Sequence, residues 1–171
     1  MAKKNRIILV FGLPGSGKSY FASNLAKMLG ADYVNSDRLR KELFPKRTYS
    51  EKEKSKVYDT MLKEMAVAIG QGKNLVLDAT FHKNATKELF MEKAKENLFF
   101  IEVRADEKII KERLKKDRPN SEADYEVHKL IRQQWEPLER PHLILQSTND
   151  NIDDMLKKAI KYLNDDTRAD R

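Results

Sequence analysis

The sequence predicts an α/β protein built on a parallel sheet covered by helices on both faces. Two observations carry this prediction. Five short apolar segments alternate with helical ones along the 171 residues, which is the pattern of strand–helix crossovers. The first apolar segment, residues 6–11 (RIILVF), is continuous rather than alternating, as in a strand buried on both faces. The length fits one domain, expected over residues 1–164, with a polar tail at 165–171.

The elements follow in order. Residues 6–11 end in glycine. Residues 18–29 carry Phe21, Leu25, Met28 and Leu29 at helical spacing, and Gly30 stops that helix. Residues 33–34 form a short strand. Ser36 is the expected cap of a helix running to Phe44, where Pro45 halts it. Residues 46–50 are a loop, and Ser50 starts a long helix to residue 69, ended by Gly70 and Gly72. Residues 74–77 (NLVL) are a strand, and 82–97 a helix with Leu89, Phe90 and Ala94 on one face. Residues 98–103 are a strand, and 106–116 a basic helix broken by Pro119-Asn120-Ser121. A helix over 121–135 is stopped by Pro137. Residues 142–145 (HLIL) are the last strand and 152–163 the last helix.

Composition narrows the function classes. There is no Cys, which excludes a disulfide framework, a Cys-ligated zinc and a thiolate nucleophile. No apolar run approaches the roughly 18 residues of a membrane span, so no membrane partner is expected and the expected compartment is cytoplasmic. The basic, apolar start resembles a signal peptide, but glycines interrupt it and no small-residue cleavage site follows. Lys and Arg number 34 against 27 Asp and Glu, a formal charge of +7.

Gly12-Leu13-Pro14-Gly15-Ser16-Gly17-Lys18-Ser19 matches G-x-x-x-x-G-K-[ST] at every required position, after an apolar strand and at the start of a helix. Such glycines let backbone N–H groups surround a phosphate, and the helix N-terminus adds partial positive charge. Lys18 is placed to reach the β- and γ-phosphates, and the Ser19 hydroxyl to ligate Mg²⁺. These eight residues and the adjoining Tyr20 are the candidate nucleotide-binding set. A GTPase is disfavoured because no N-K-x-D segment is present; Ser147-Thr148-Asn149-Asp150 lacks the Lys. Helicases and motors need more chain.

Asp37 follows the second strand, on the ligand edge of a parallel sheet. There it can accept the proton of an attacking hydroxyl. Arg40 lies on the same helix face, suited to an acceptor phosphate. The competing reading is that Ser36 or Asp37 only caps the helix and Arg40 is solvated. Asp78 ends a buried strand, the place of a carboxylate that acts on Mg²⁺, and Thr80 is a candidate acceptor contact. After the fourth strand a basic segment forms a candidate lid over residues 113–125. Arg113 and Arg118 are the expected phosphate-facing groups and Arg132 a weaker one. His82, His128 and His142 are too far apart in sequence for a metal site. Trp135 is expected to pack on the core.

With these residues in place, the chain resembles the small P-loop kinases of the polynucleotide-kinase-like group over residues 7–146. The resemblance rests on GLPGSGKS, NSDRLRKEL, NLVLDATF and ERLKKDRPNSEAD…QQWEPL. It implies a three-layer αβα P-loop NTPase fold with a five-stranded sheet in the order 2-3-1-4-5. It also implies Asp37 as general base, Arg40 as acceptor-binding residue, a motif Asp at Asp78 and a lid Arg at Arg113 or Arg118. Two features depart from the group: Arg38 stands where many members have a second Asp, and no phosphatase segment follows. The expected activity is transfer of the γ-phosphate of ATP, with Mg²⁺, to a hydroxyl acceptor. The acceptor is either a nucleic-acid 5′ end or a small metabolite. The rival readings are a nucleotide-binding regulator that hydrolyses ATP slowly and a nucleic-acid-binding domain that uses no nucleotide. Residues 1–47 hold ten Lys and Arg against three acids, the whole of the net charge. Arg38, Arg40, Lys41, Lys46 and Arg47 crowd the acceptor side, which favours an acidic acceptor such as nucleic acid or a phosphorylated metabolite.

Overall fold

The computed structural model describes residues 5–46, 50–116 and 121–165, and the backbone alone of 121–124. Arg47, Arg118 and the tail from 166 lie outside the described residues. Strands β1 (Ile7–Phe11), β2 (Asp32–Asn35), β3 (Leu75–Asp78), β4 (Leu98–Ala105) and β5 (Leu143–Ser147) form one sheet in the order β2-β3-β1-β4-β5. All neighbours are parallel. The helices are α1 (Lys18–Leu29), α2 (Ser36–Leu43), α3 (Glu51–Gly70), α4 (Asn84–Ala94), α5 (Glu107–Lys116), α6 (Ser121–Gln134) and α7 (Ile152–Asn164). The expected fold class and strand order are both observed. Among the described residues no helix is long and apolar enough to cross a membrane.

The continuous apolar run of β1 is explained by two cores. Successive side chains of a strand point to opposite faces. Ile7, Leu9 and Phe11 therefore pack with Val57, Met61 and Met65 of α3 and with Phe90 of α4. Ile8 and Val10 pack with Phe21 and Leu25 of α1 and with Leu156 and Ala159 of α7. Every residue of β1 is fully buried.

Register decides what meets at the carboxyl edge. Val10 pairs with Asp78 and Asp78 with Asn35, so one row crosses three strands just before the phosphate loop. On the other side Phe11 pairs with Glu102, and Ala105 with Ser147.

Several boundaries differ from expectation, each for a local reason. Asn35, not Ser36, caps α2, its side chain accepting from Arg38 N at 3.0 Å. Ser50 caps α3 as expected, accepting from Glu53 N. α4 starts at Asn84 rather than residue 82 because the preceding residues are engaged elsewhere. His82 O accepts from Glu136 N at 2.9 Å, and Glu136 Oε1 accepts from Asn84 N at 2.7 Å. The helix is thus capped by a carboxylate 52 positions away. α4 ends at Ala94 because Lys95 turns to φ 55°, and a 3₁₀ turn follows. β5 runs two residues past the apolar HLIL segment because Gln146 and Ser147 continue the ladder against Arg104 and Ala105.

Lys87 reinforces the junction between α4 and the chain leaving α6. Its side chain is fully buried, and Nζ donates to Asn84 Oδ1 at 3.0 Å and Glu136 O at 3.1 Å. The ammonium also lies over the rings of Phe11 and Trp135, at 5.2 and 5.6 Å. Burial pushes its pKa down, opposed by the charges of Glu102 and Glu136. Trp135 packs on the core as expected, stacked on Phe11 at 6.0 Å and 11°.

Phe81 closes the core beneath the β3 loop. It is fully buried at φ 48°, and its ring lies 5.1 Å from those of both Tyr58 and Phe90. Phe81→Ala is expected to cost about 3–5 kcal/mol, read as a lower urea midpoint with an unchanged m-value.

Candidate active site

The phosphate loop is shaped by its glycines. Gly15 and Gly17 have φ of 84° and 91°, a region that side chains disfavour. A Cβ on Gly17 would come within 2.7 Å of Ser147 Oγ and 3.0 Å of Arg113 Nη1. A side chain there would fill the cradle. Gly17 caps α1 without a side-chain hydrogen bond, so the first N–H groups of α1 face the loop. Ser16 is buried, and its Oγ has no hydrogen-bond partner.

A cavity of about 440 Å³ opens over this loop. Gly15, Gly17, Lys18, Ser19, Tyr20 and Asp37 are among its lining residues. Arg113, Ser147, Thr148 and Asn149 line it as well. Arg113 is the expected lid residue that the described structure brings to the loop. It donates from Nη1 to Gly15 O at 3.1 Å and from Nη2 to Ser147 Oγ and Thr148 O at 3.0 and 2.9 Å. Burial lowers its pKa.

Asp78 and Ser19 are joined through Asn35. Asp78 is fully buried, and its Oδ2 accepts from Tyr33 Oη at 2.6 Å and Asn35 Nδ2 at 2.7 Å. The same amide reaches Ser19 Oγ at 3.3 Å. Burial, then the Asp78 charge, pushes the Tyr33 pKa up, so its hydroxyl remains a donor. Asp78 Oδ1 is buried with no hydrogen-bond partner. An orphaned carboxylate oxygen near a serine hydroxyl, with oxygen donors only, fits a hard divalent cation such as Mg²⁺. No cluster of three or more His, Cys, Asp or Glu exists among the described residues. Any Mg²⁺ would therefore keep other oxygens, from water or substrate phosphate, in its coordination sphere.

Asp37 is neither buried nor a cap. Its carboxylate accepts from Arg40 Nη1 at 3.3 Å, and Arg40 Nε lies 3.5 Å from the buried Glu53. Arg40 is thus held between two carboxylates rather than solvated. Thr80 is half-buried after β3 and is not among the cavity-lining residues. Arg132 is drawn away from the cavity, pairing with Glu107 Oε1 at 2.8 Å on the seam between α5 and α6. Leu13, Pro14 and Gly12 form the loop behind the lining residues.

Sequence reasoning missed Tyr33 and Asn35, and took Ser147–Asn149 only as a failed base motif. The rule that ligands gather at the carboxyl edge of a parallel sheet would have pointed to all of them, since each ends or follows a strand.

The sheet order, the phosphate loop and the Arg-bearing helix pair together define the fold of the small P-loop kinases. A family model described as an AAA domain matches residues 7–138, and the chain belongs to that family. The chain is similar in structure to a sugar kinase of Janibacter sp. HTCC2649, with 16% identity over 93% of this chain and 94% of that one and a TM-score of 0.73. It is also similar to the APS kinase of Mycobacterium tuberculosis solved with AMPPNP and APS, with 16% identity over 95% and 99% of the two chains and a TM-score of 0.75. At these identities the likeness is one of fold. In sequence it is 30% identical over 88 residues to an uncharacterised protein of Mycobacterium bovis, a match covering 44% of this chain and 18% of that protein.

Asn35→Asp keeps the cap on α2 but sets a carboxylate against Asp78. Two carboxylates in hydrogen-bond contact cannot both ionise, so one holds its proton above the usual range. A group whose folded pKa is raised contributes stability below its unfolded pKa and loses it as pH rises. The variant is expected to be less stable than wild type by about 1–3 kcal/mol near neutrality, with a smaller gap in acid. Urea denaturation at both pH values checks this, and an equal gap at both would contradict it.

Proposed function

We propose that this protein is an ATP-dependent phosphotransferase that moves the γ-phosphate to the hydroxyl of an acidic acceptor. The observation that carries the reading is that Asp37 lines the same cavity as Lys18 and Ser19. A proton acceptor and a phosphate cradle thus share one space. Lys18 and the loop N–H groups stabilise charge on the phosphates. Ser19 and Asp78 would hold Mg²⁺, which would supply positive charge against the phosphates. Asp37 takes the proton of the attacking hydroxyl, and Arg40, braced by Glu53, fixes the carboxylate that does so. Arg113, whose Nη1 would lie 3.0 Å from a Cβ on Gly17, stabilises the transferring group, with Arg118 as a second lid cation. Tyr20 lines the same cavity beside the phosphate loop.

Exposed Arg38 and Lys41 on α2 support an anionic acceptor. The structural relatives named as sugar and APS kinases support a small molecule. A polynucleotide 5′-hydroxyl, the acceptor of the group the sequence resembles, is the alternative. The test is γ-labelled ATP with Mg²⁺, offered 5′-hydroxyl oligonucleotides beside anionic hydroxyl metabolites. Label on a metabolite supports the reading. Label on an oligonucleotide moves it to the polynucleotide branch, and label only in inorganic phosphate overturns transfer altogether. Asp37→Asn is expected to lower kcat by roughly 10²–10⁴-fold with ATP binding retained. Lys18→Ala is expected to lose both. Equal turnover in Asp37→Asn and wild type would remove Asp37 as the base.

A further inference from the structure

We propose that His128 is a positioning residue for the phosphate loop, acting as a doubly protonated imidazolium that ties the loop to the α5–α6 seam. The inference rests on residues 12–19 binding nucleotide phosphate.

His128 lies on α6 with its side chain fully buried. Nδ1 is 2.9 Å from Pro14 O, the backbone carbonyl in the middle of the phosphate loop. Nε2 is 3.2 Å from Glu107 Oε2 on α5. A backbone carbonyl and a carboxylate can only accept hydrogen bonds. A neutral imidazole donates from one nitrogen only, so only the imidazolium satisfies both partners. Neutral His128 turns a lone pair toward either Glu107 or Pro14.

The surroundings favour an ionised Glu107. Burial opposes ionisation, but hydrogen bonds from Tyr125 and His128 and the charge of Arg132 outweigh it and hold the carboxyl below its usual range. Tyr125 donates to Glu107 Oε1 at 2.9 Å and stacks on the His128 ring at 5.8 Å. Arg132 pairs with the same oxygen at 2.8 Å. Lys111 and Lys129 lie over the Tyr125 ring, each at 5.4 Å. Among the described residues, the charged groups around His128 are Glu107 in direct contact and Arg132, Lys111 and Lys129 one side chain further out.

The consequence reaches the phosphates through one peptide plane. In a trans peptide the N–H points opposite to the C=O. No cis peptide bond is present among the described residues. Holding Pro14 O toward His128 thus directs the Gly15 N–H the other way, toward the side from which a phosphate is cradled. Arg113 holds the next carbonyl, Gly15 O. Two lid-side cations therefore fix two successive carbonyls of the loop. Loss of the His128 proton frees the first of them, so nucleotide affinity falls when that proton is lost.

The test is calorimetric binding of AMPPNP with Mg²⁺ at several values between about pH 6 and 8, on the full chain. Three proteins are compared: wild type, Glu107→Gln and His128→Asn. A Gln amide donates to the Nε2 lone pair of neutral His128 while its oxygen still accepts from Tyr125 and Arg132. Wild-type affinity is expected to fall by about tenfold over the range relative to Glu107→Gln. The ligand's own titration cancels in that comparison. His128→Asn keeps a donor for Pro14 O and is expected to lose the pH dependence. Ring ¹⁵N shifts of His128 are expected to report both nitrogens protonated at low pH, which shows the charge state independently of binding. Parallel pH profiles in wild type and Glu107→Gln, or a neutral ring throughout, would overturn the inference. No binding by folded wild type at any pH would instead overturn the nucleotide reading on which it rests.

Discussion

The hydrogen bond from Asn35 to Asp78 joins parts of the molecule that are far apart in sequence. Asp78 is fully buried, and a buried carboxylate costs several kcal/mol unless it is paired. No cation pairs with it in the described structure; it is held by an amide and a phenol instead. Both donors come from β2, which the register sets beside β3. The same Asn35 side chain accepts from the first turn of α2 and so fixes the helix that carries Asp37 and Arg40. One amide thereby sets the Asp78 carboxylate, the serine after the loop lysine and the helix that carries Asp37 relative to one another. The parallel sheet makes this possible, because all three strand ends arrive at one edge.

The other side of the loop is governed by the α5–α6 pair. Arg113 and His128 reach the loop from two helices, and Glu107 joins those helices to each other through Tyr125, His128 and Arg132. Beyond α6 the chain is pinned to α4 by Asn84, Lys87 and Glu136. Bonds on both sides of α6 thus hold it between the phosphate loop and the β3–α4 connection. The polar groups lie in the seam while the apolar cores lie on the two faces of the sheet. Stability and geometry are therefore carried by different residues.

Much of this was legible in the sequence, for physical reasons that differ by element. The glycine loop was legible because its backbone conformation admits few residues. β1 and β3 were legible because strands buried on both faces must be apolar throughout. Asp78 stood out because a charged residue ending such a strand needs a reason. Asn35 was hidden because it ends a strand of mixed polarity and reads as ordinary turn chemistry. The start of α4 was hidden because its cap is Glu136, which no local pattern reveals. His128 and Arg132 illustrate the two directions of error. One looked isolated and is buried against the loop; the other was a weaker phosphate-facing candidate and pairs with Glu107 in the seam. Spacing reports which face of a helix a residue occupies, but not which element that face meets.

Trp135 is the only tryptophan in the chain. It leaves α6 and stacks on Phe11, the last residue before the phosphate loop, with the Lys87 ammonium over its ring. The protein therefore carries its own optical reporter where the chain leaving α6 meets the strand that feeds the phosphate loop. Any displacement of that segment changes both the ring stack and the cation beside it, and intrinsic fluorescence records the change without a label.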